Sequence, residues 1–188
     1  MCLPLFACQQ STVAGEITSE TAEDTVLQSN LRLDPNKGLV YYQNRPFSGF
    51  SISYYQNAIP SETIQYRKGK KEGKLKKWFS DGTLSFEATY ADGKLHGITK
   101  SWWSNGYQRS ETNYVEGKVD GKLTQWYNTG DKFKELNYTM GQENGMQKAW
   151  RKNGKLYSNY EARDGRIFGL KRANLCYELK DEEVQFSE

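Results

Sequence analysis

Gly73-Lys-Leu-Lys-Lys-Trp78-Phe79-Ser80-Asp81-Gly82-Thr83-Leu-Ser-Phe-Glu-Ala-Thr-Tyr90-Ala91-Asp92-Gly93-Lys94 is the stretch on which the fold turns. Two strand-like runs, residues 73–79 and 83–90, are each followed by an Asp-Gly pair. Asp-Gly and Asn-Gly signal two-residue hairpin loops, because a type I′ turn needs positive φ at both central positions. The signal returns at Asn105-Gly106 and Asn153-Gly154. Gly49, Gly73, Gly97, Gly121, Gly145 and Gly169 stand 24 residues apart, and so do Gly69, Gly93, Gly117, Gly141 and Gly165. An aromatic column, Tyr54, Trp78, Trp102, Trp126 and Trp150, keeps the same period. A fixed period of this size marks a tandem array, and no segment shows helical periodicity across three turns. The predicted fold is all-β: an elongated, single-layer antiparallel β-meander of 24-residue hairpins, roughly 50 Å long at ~4.8 Å per strand.

A two-residue loop at Asp81-Gly82 places Lys76 opposite Glu87 and Lys77 opposite Phe86. The same rule about Asn105-Gly106 places Lys100 opposite Glu111. Opposite charges meeting in two separate units support this register. One face then collects Leu75, Phe79, Leu84, Phe86, Ala88 and Tyr90, and the other Lys76, Trp78, Glu87 and Thr89. Each tryptophan lies among charges, where its ring covers lysine stems and meets cations. Neighbouring units are expected to stack these rings into a ladder.

Apolar residues are only 36% of the chain, aromatics are 14%, and the mean hydropathy is −0.87. Such a composition suits a thin sheet with partly wet faces rather than a deep aliphatic core. The net charge of +3 hides a segregation. Residues 9–30 carry four acids and no Lys or Arg, and residues 173–188 carry five acids and one Lys. Residues 31–172 therefore hold 25 basic and 14 acidic side chains, a net of +11. A basic array between acidic ends attracts anionic surfaces or acidic partners. The same charge also solvates the sheet and opposes its self-association.

Cys2, Cys8 and Cys176 are too few and too scattered for a disulfide framework. Leu5-Phe6-Ala7-Cys8 resembles a bacterial lipobox, in which a small residue precedes a cysteine that becomes lipidated. Only seven residues precede Cys8, so residues 1–8 read as the remnant of a lipoprotein signal. The resemblance implies a lipid anchor at Cys8 and, with Gln9 next to it, the outer membrane where the cell has one. Residues 9–38 read as a disordered tether, rich in Ser, Thr, Glu and Ala and lacking aromatics. Its first ~22 residues span roughly 26 Å. Residues 39–172, from Leu39-Val40-Tyr41-Tyr42 onward, form the repeat domain. Residues 173–188 form an acidic tail in which Leu175, Tyr177 and Leu179 alternate as in a strand. That strand is expected to close the last edge with Cys176 buried. The rival idea is an acidic peptide lying on the basic array.

The unit Gly-x4-Trp-Phe-x2-Gly-x7-Tyr-x2-Gly-Lys resembles the MORN-variant repeat of bacterial proteins. It stands intact at 73–94 and 97–118, with Trp103 in the Phe place, and with Tyr127 there at 121–141. The end units depart from it: Tyr54 and Ala58 stand for Trp and the turn Gly in the first, Arg151 and Ala162 for the second aromatic and Tyr in the fifth. Whole proteins of this make-up are labelled YwqK-type antitoxins. The resemblance implies protein binding and no catalytic residues, and related eukaryotic arrays are associated with membranes and scaffolding.

The residues themselves offer no enzyme, cofactor or metal chemistry. His96 is the only histidine, which leaves neither a zinc set nor a Ser-His-Asp arrangement. Glu87, Glu111 and Glu135 form a carboxylate column, a pattern that serves acid–base work or Ca2+, but their lysine partners favour an ion-pair ladder. The Gly-Lys pairs at 69–70, 93–94 and 117–118 lack the rest of a phosphate loop. Basic strands with interleaved aromatics can stack single-stranded nucleic acid, yet nucleic acid and small-molecule substrates are not the expected partners. The expected function is a non-catalytic scaffold of the cell envelope that binds a protein partner or an anionic surface. Its binding stripe is Trp78, Trp102, Trp126 and Trp150 with Lys76, Lys100 and Lys148. The alternative is a cytoplasmic antitoxin that neutralises a toxin by direct binding.

Overall fold

The computed structural model describes residues 24–170 and the backbone of 177–180 and 183–186. Four short strands come first: β1 (Thr25–Leu27), β2 (Arg32–Asp34), β3 (Leu39–Tyr42) and β4 (Arg45–Pro46). The array follows as β5 (Gly49–Tyr54), β6 (Pro60–Arg67), β7 (Lys70–Trp78), β8 (Leu84–Ala91), β9 (Lys94–Leu95), β10 (Gly97–Trp102) and β11 (Gln108–Val115). It continues through β12 (Lys118–Trp126), β13 (Lys132–Thr139), β14 (Gln142–Glu143), β15 (Gly145–Trp150), β16 (Leu156–Arg163) and β17 (Arg166–Leu170). β18 (Tyr177–Lys180) and β19 (Glu183–Phe186) pair with each other. Neighbouring strands of the array pair antiparallel in one long open sheet, with the short β9 beside β10 against β8 and the short β14 beside β15 against β13, and β1 adds to β5 in parallel. This is the elongated all-β meander that the period predicts. Among the described residues the only helical turn is the 3-10 turn Gln28–Asn30.

Two kinds of turn alternate along the sheet. At Asp92-Gly93 both residues have positive φ, 50° and 82°, and Ala91 pairs with Lys94, so this is a two-residue primed loop. Asp81-Gly82 differs. There only Gly82 has positive φ; its N–H donates to the Phe79 carbonyl at 2.9 Å, and the Phe79 N–H donates to Thr83 at 2.8 Å. That bond pair makes a three-residue loop closed by a glycine bulge. It recurs at Asn105-Gly106 and Asn153-Gly154, which corrects the two-residue reading at these three sites.

The longer loop displaces the pairing by one residue, so Trp78 stands opposite Leu84. A bulge between Lys77 and Trp78 then restores it, and Lys77 meets Phe86, Lys76 meets Glu87 and Lys100 meets Glu111 as expected. The same bulge accompanies Tyr54, Trp102, Trp126 and Trp150. Because cross-strand partners share a face, Leu84 belongs with Trp78 and not with Leu75.

Burial concentrates on one face. Ser51, Ile64, Leu75, Ala88, Thr99, Thr112, Gln147 and Tyr160 are its buried line. A tyrosine column flanks it, with Tyr66, Tyr90, Tyr114 and Tyr138 opposite Gly49, Gly73, Gly97 and Gly121. Gln147 is fully buried and acts as an extra rung: its amide accepts from the Asn137 N–H at 3.1 Å and donates to the Asn137 carbonyl at 2.7 Å.

The N-terminal edge is covered. β2, β3 and β4 make a small separate sheet. Phe47 packs with Ile64, Tyr66 and Leu75, and Val26, Leu31, Val40 and Tyr42 pack against that cluster. The tether expected over residues 9–38 therefore gives way to structure by Thr25. Val26 and Leu31 supply apolar contacts that a scan for aromatics misses, and β1 occupies the free side of β5, as an open edge requires. Residues 1–23, with Cys2 and Cys8, lie outside the described residues, as do residues 171–176 with Leu175 and Cys176. At the other end β17 pairs with β16 alone, and neither β18 nor β19 joins the array's sheet. The expected edge-closing strand is a hairpin paired with itself.

Candidate partner-binding face

The register draws one line of residues across the sheet. Lys76, Glu87, Lys100, Glu111, Thr124, Glu135 and Lys148 are successive cross-strand neighbours. Basic and acidic side chains alternate from Lys76 to Glu111 because those two hairpins contribute one of each, and Thr124 then interrupts the alternation. Lys100 Nζ lies 3.1 Å from Glu111. Glu135 takes Lys132 at 2.8 Å and Lys122 at 3.2 Å. A hydrogen bond from Gln108, then one from Lys100, holds the Glu111 carboxyl below its ordinary range. The Lys132 hydrogen bond, followed by that of Lys122, does the same for Glu135. These carboxylates are engaged as ion-pair partners, an arrangement opposed to general-acid work, which needs a raised pKa.

Trp78, Trp102, Trp126 and Trp150 are half-buried and stand two residues beyond the line, hence on the same face. Lys76, Lys100 and Lys148 are also half-buried. The structure thus brings the three lysines into one row and the four tryptophans into the next. It does not stack the rings: no ring contact among the described residues joins two tryptophans. The reason is distance. Residues 24 apart lie two strands apart, ~10 Å, beyond the 4.5–7 Å of aromatic pairs. A cation fills the interval instead, with Lys132, opposite Trp126, placing Nζ 5.4 Å from the Trp150 ring centre.

Sequence reasoning missed the role of the aromatics that follow Tyr54, Trp102 and Trp126. Tyr55 donates its hydroxyl to the Trp78 carbonyl at 2.7 Å, Trp103 its indole N–H to Trp126 at 3.1 Å, and Tyr127 its hydroxyl to Trp150 at 2.9 Å. The loop asparagines repeat the pattern, Asn57 to the Ser80 carbonyl and Asn105 to that of Asn128. The signal was the column 55, 79, 103, 127, which keeps the period beside the tryptophans.

His96 is exposed, and its backbone N–H donates to the Thr89 carbonyl at 2.9 Å. Among the described residues no group of three or more His, Cys, Asp or Glu converges as a metal site would. A scan against protein-family models finds no match to this chain, and a search of curated proteins finds none either.

Proposed function

We propose that the chain is a non-catalytic repeat scaffold of the cell envelope, anchored through a lipid on Cys8, that holds a protein partner or an anionic surface along the tryptophan-bearing face. The observation that carries this reading is the repetition, every second strand, of a half-buried tryptophan beside a ladder of lysine and glutamate. Such rings supply contact area at low entropic cost when a partner desolvates them. The ladder offers charges whose sign alternates at the strand spacing, which sets register with an ordered partner. Glu111 and Glu135 hold their lysine neighbours by exposed pairs, and such pairs are worth only ~0–1 kcal/mol. A partner's acids exchange for them at little cost.

The experiment is crosslinking and pull-down from native membranes, comparing wild type with Trp102→Ala plus Lys100→Ala. Loss of one defined partner from a folded double variant supports the reading, and retention of every partner refutes the stripe. The antitoxin alternative is separated by location. Wild-type protein made in its native cell should partition with detergent, and Cys8→Ser should release it. A partner captured only in the cytosol, and lethal without this protein, establishes the antitoxin instead.

A further inference from the structure

The tryptophan row crosses the strands at a pitch of two strand spacings, ~10 Å. The rings of Trp78, Trp102 and Trp126 are half-buried, and among the described residues neither a second ring nor a cation stacks on them. Leu84 and Gln108, opposite Trp78 and Trp102, occupy the strands between. Two residues along each strand runs the charged line. Its lysines Lys76 and Lys100 sit on tryptophan-bearing strands, and its acids Glu87 and Glu111 on the strands between. From Trp78 to Glu111 the face therefore offers a ring beside a cation, then a carboxylate, and repeats that order after ~10 Å. Lys100 is paired with Glu111 at 3.1 Å, an exposed pair that a ligand acid displaces at little cost.

That order selects among ligands. A nucleic-acid strand brings a phosphate with every stacked base, so its backbone would also face Glu87 and Glu111. An anionic lipid surface has no repeat to match. A β-1,4-linked glycan has one: its disaccharide advances by about two strand spacings, ~10 Å, and every second sugar turns the same face to one side. The C–H faces of such sugars are apolar and flat, and they cover aromatic rings. Where every second sugar also carries a carboxylate, that acid meets Lys76 or Lys100. The neutral sugar between then gives its hydroxyl donors to Glu87 or Glu111. The glycan strands of a bacterial wall have this alternating chemistry.

We infer that the tryptophan row binds a β-1,4-linked wall glycan whose alternate sugars are acidic. The inference rests on the scaffold reading above and names the anionic surface of that reading. Ile98 and Met146 are exposed and lie further along the strands of Trp102 and Trp150, so they stay open to a protein partner. The test is titration of the full chain with un-crosslinked wall glycan as di-, tetra- and hexasaccharide, read by tryptophan fluorescence. Affinity is expected to rise with each added disaccharide, which reaches one more ring, and to fall as salt rises. N-acetylglucosamine oligomers of the same lengths keep the linkage but lack the acids and should bind more weakly. Maltohexaose, with α-1,4 links, should not bind. Trp102→Leu keeps an apolar side chain without a ring and should weaken the hexasaccharide about fivefold, the usual worth of one ring contact. Lys100→Glu should weaken it at least as much, because like charges then meet. Circular dichroism matching wild type shows that each variant folds, and Lys100→Glu decides alone if Trp102→Leu disturbs the sheet. No binding of the hexasaccharide, equal binding of maltohexaose, or affinity indifferent to the substitutions overturns the proposal. If the Trp102→Ala plus Lys100→Ala pull-down still loses a protein, the scaffold reading outlives that failure; if it keeps every partner, both fall.

Discussion

The indole Nε1 of Trp103 donates to the backbone carbonyl of Trp126, 3.1 Å away and 23 residues on. Tyr55 and Tyr127 make the equivalent bond to Trp78 and Trp150. The repeats are therefore tied at the loop edge by side chains as well as by the ladder of strands. Phe79 holds the same place in its unit but has no donor. Phe79→Tyr is expected to add the missing strut toward the Trp102 carbonyl and to raise stability by about 1 kcal/mol, the usual net value of one hydrogen bond. Tyr127→Phe should lower it by a similar amount. Urea unfolding of both variants checks the pair, and shifts of the same sign would show that these bonds do not act as struts.

Thr99 lies in the buried line, and its Oγ1 finds no hydrogen-bond partner among the described residues. A buried hydroxyl without a partner costs about 1–3 kcal/mol. Valine keeps the branched shape and removes the hydroxyl. Thr99→Val is thus expected to stabilise the sheet by ~1 kcal/mol, read as a higher urea midpoint with an unchanged slope.

Much of this architecture is legible in the residues. The glycine period gives strand order and spacing, and the meetings of Lys76 with Glu87 and Lys100 with Glu111 follow from it. The loop at Asp81-Gly82 is not legible from the pair itself, because the same two letters serve a two-residue and a three-residue loop. What separates them is the Phe79 hydrogen-bond pair, two residues upstream. The register survives that error only because a bulge at Trp78 cancels it. The N-terminal cover is hidden for another reason: Val26 and Leu31 are isolated apolar residues in a polar stretch, and only the folded sheet shows what they meet. The tryptophan column was visible, but its period spans two strands, too far for rings to touch.

Acid should expose the ladder. The Lys132 and Lys122 hydrogen bonds hold the folded Glu135 carboxyl below its ordinary range. Its contribution is complete above the unfolded value, ~4.3, and is lost as pH falls through the lower folded value. Because the pair is partly exposed, the loss should be only about 0.5 kcal/mol. Lys132→Met should shrink that acid limb in unfolding measured at stepped pH. An identical limb in the variant would remove Lys132 from the account.

Alkali tests the opposite sign on the buried face. Burial, then the hydrogen bond to Glu143, pushes the Tyr160 phenol from 10.0 to about 12. As pH rises past 10 an unfolded phenol ionises first, so stability present below that value is lost as pH climbs through the folded one. Tyr66, Tyr90 and Tyr138 are raised too, each chiefly by burial. Tyr160→Phe should therefore reduce the alkaline loss without abolishing it.

The central claim is that the tryptophan-bearing face, and not its reverse, holds the partner. Ile98 is 54% exposed and alternates onto the face of Lys100 and Trp102, whereas Arg109 lies 4.7 Å from the ring centre of Trp103, which alternates to the other side. A photo-crosslinking residue placed at position 98 or at position 109, in cells that make the protein, reads the two faces separately. The account predicts an adduct with a different protein from position 98 and none with that protein from position 109. No adduct from 98, or the same adduct from 109, would contradict it.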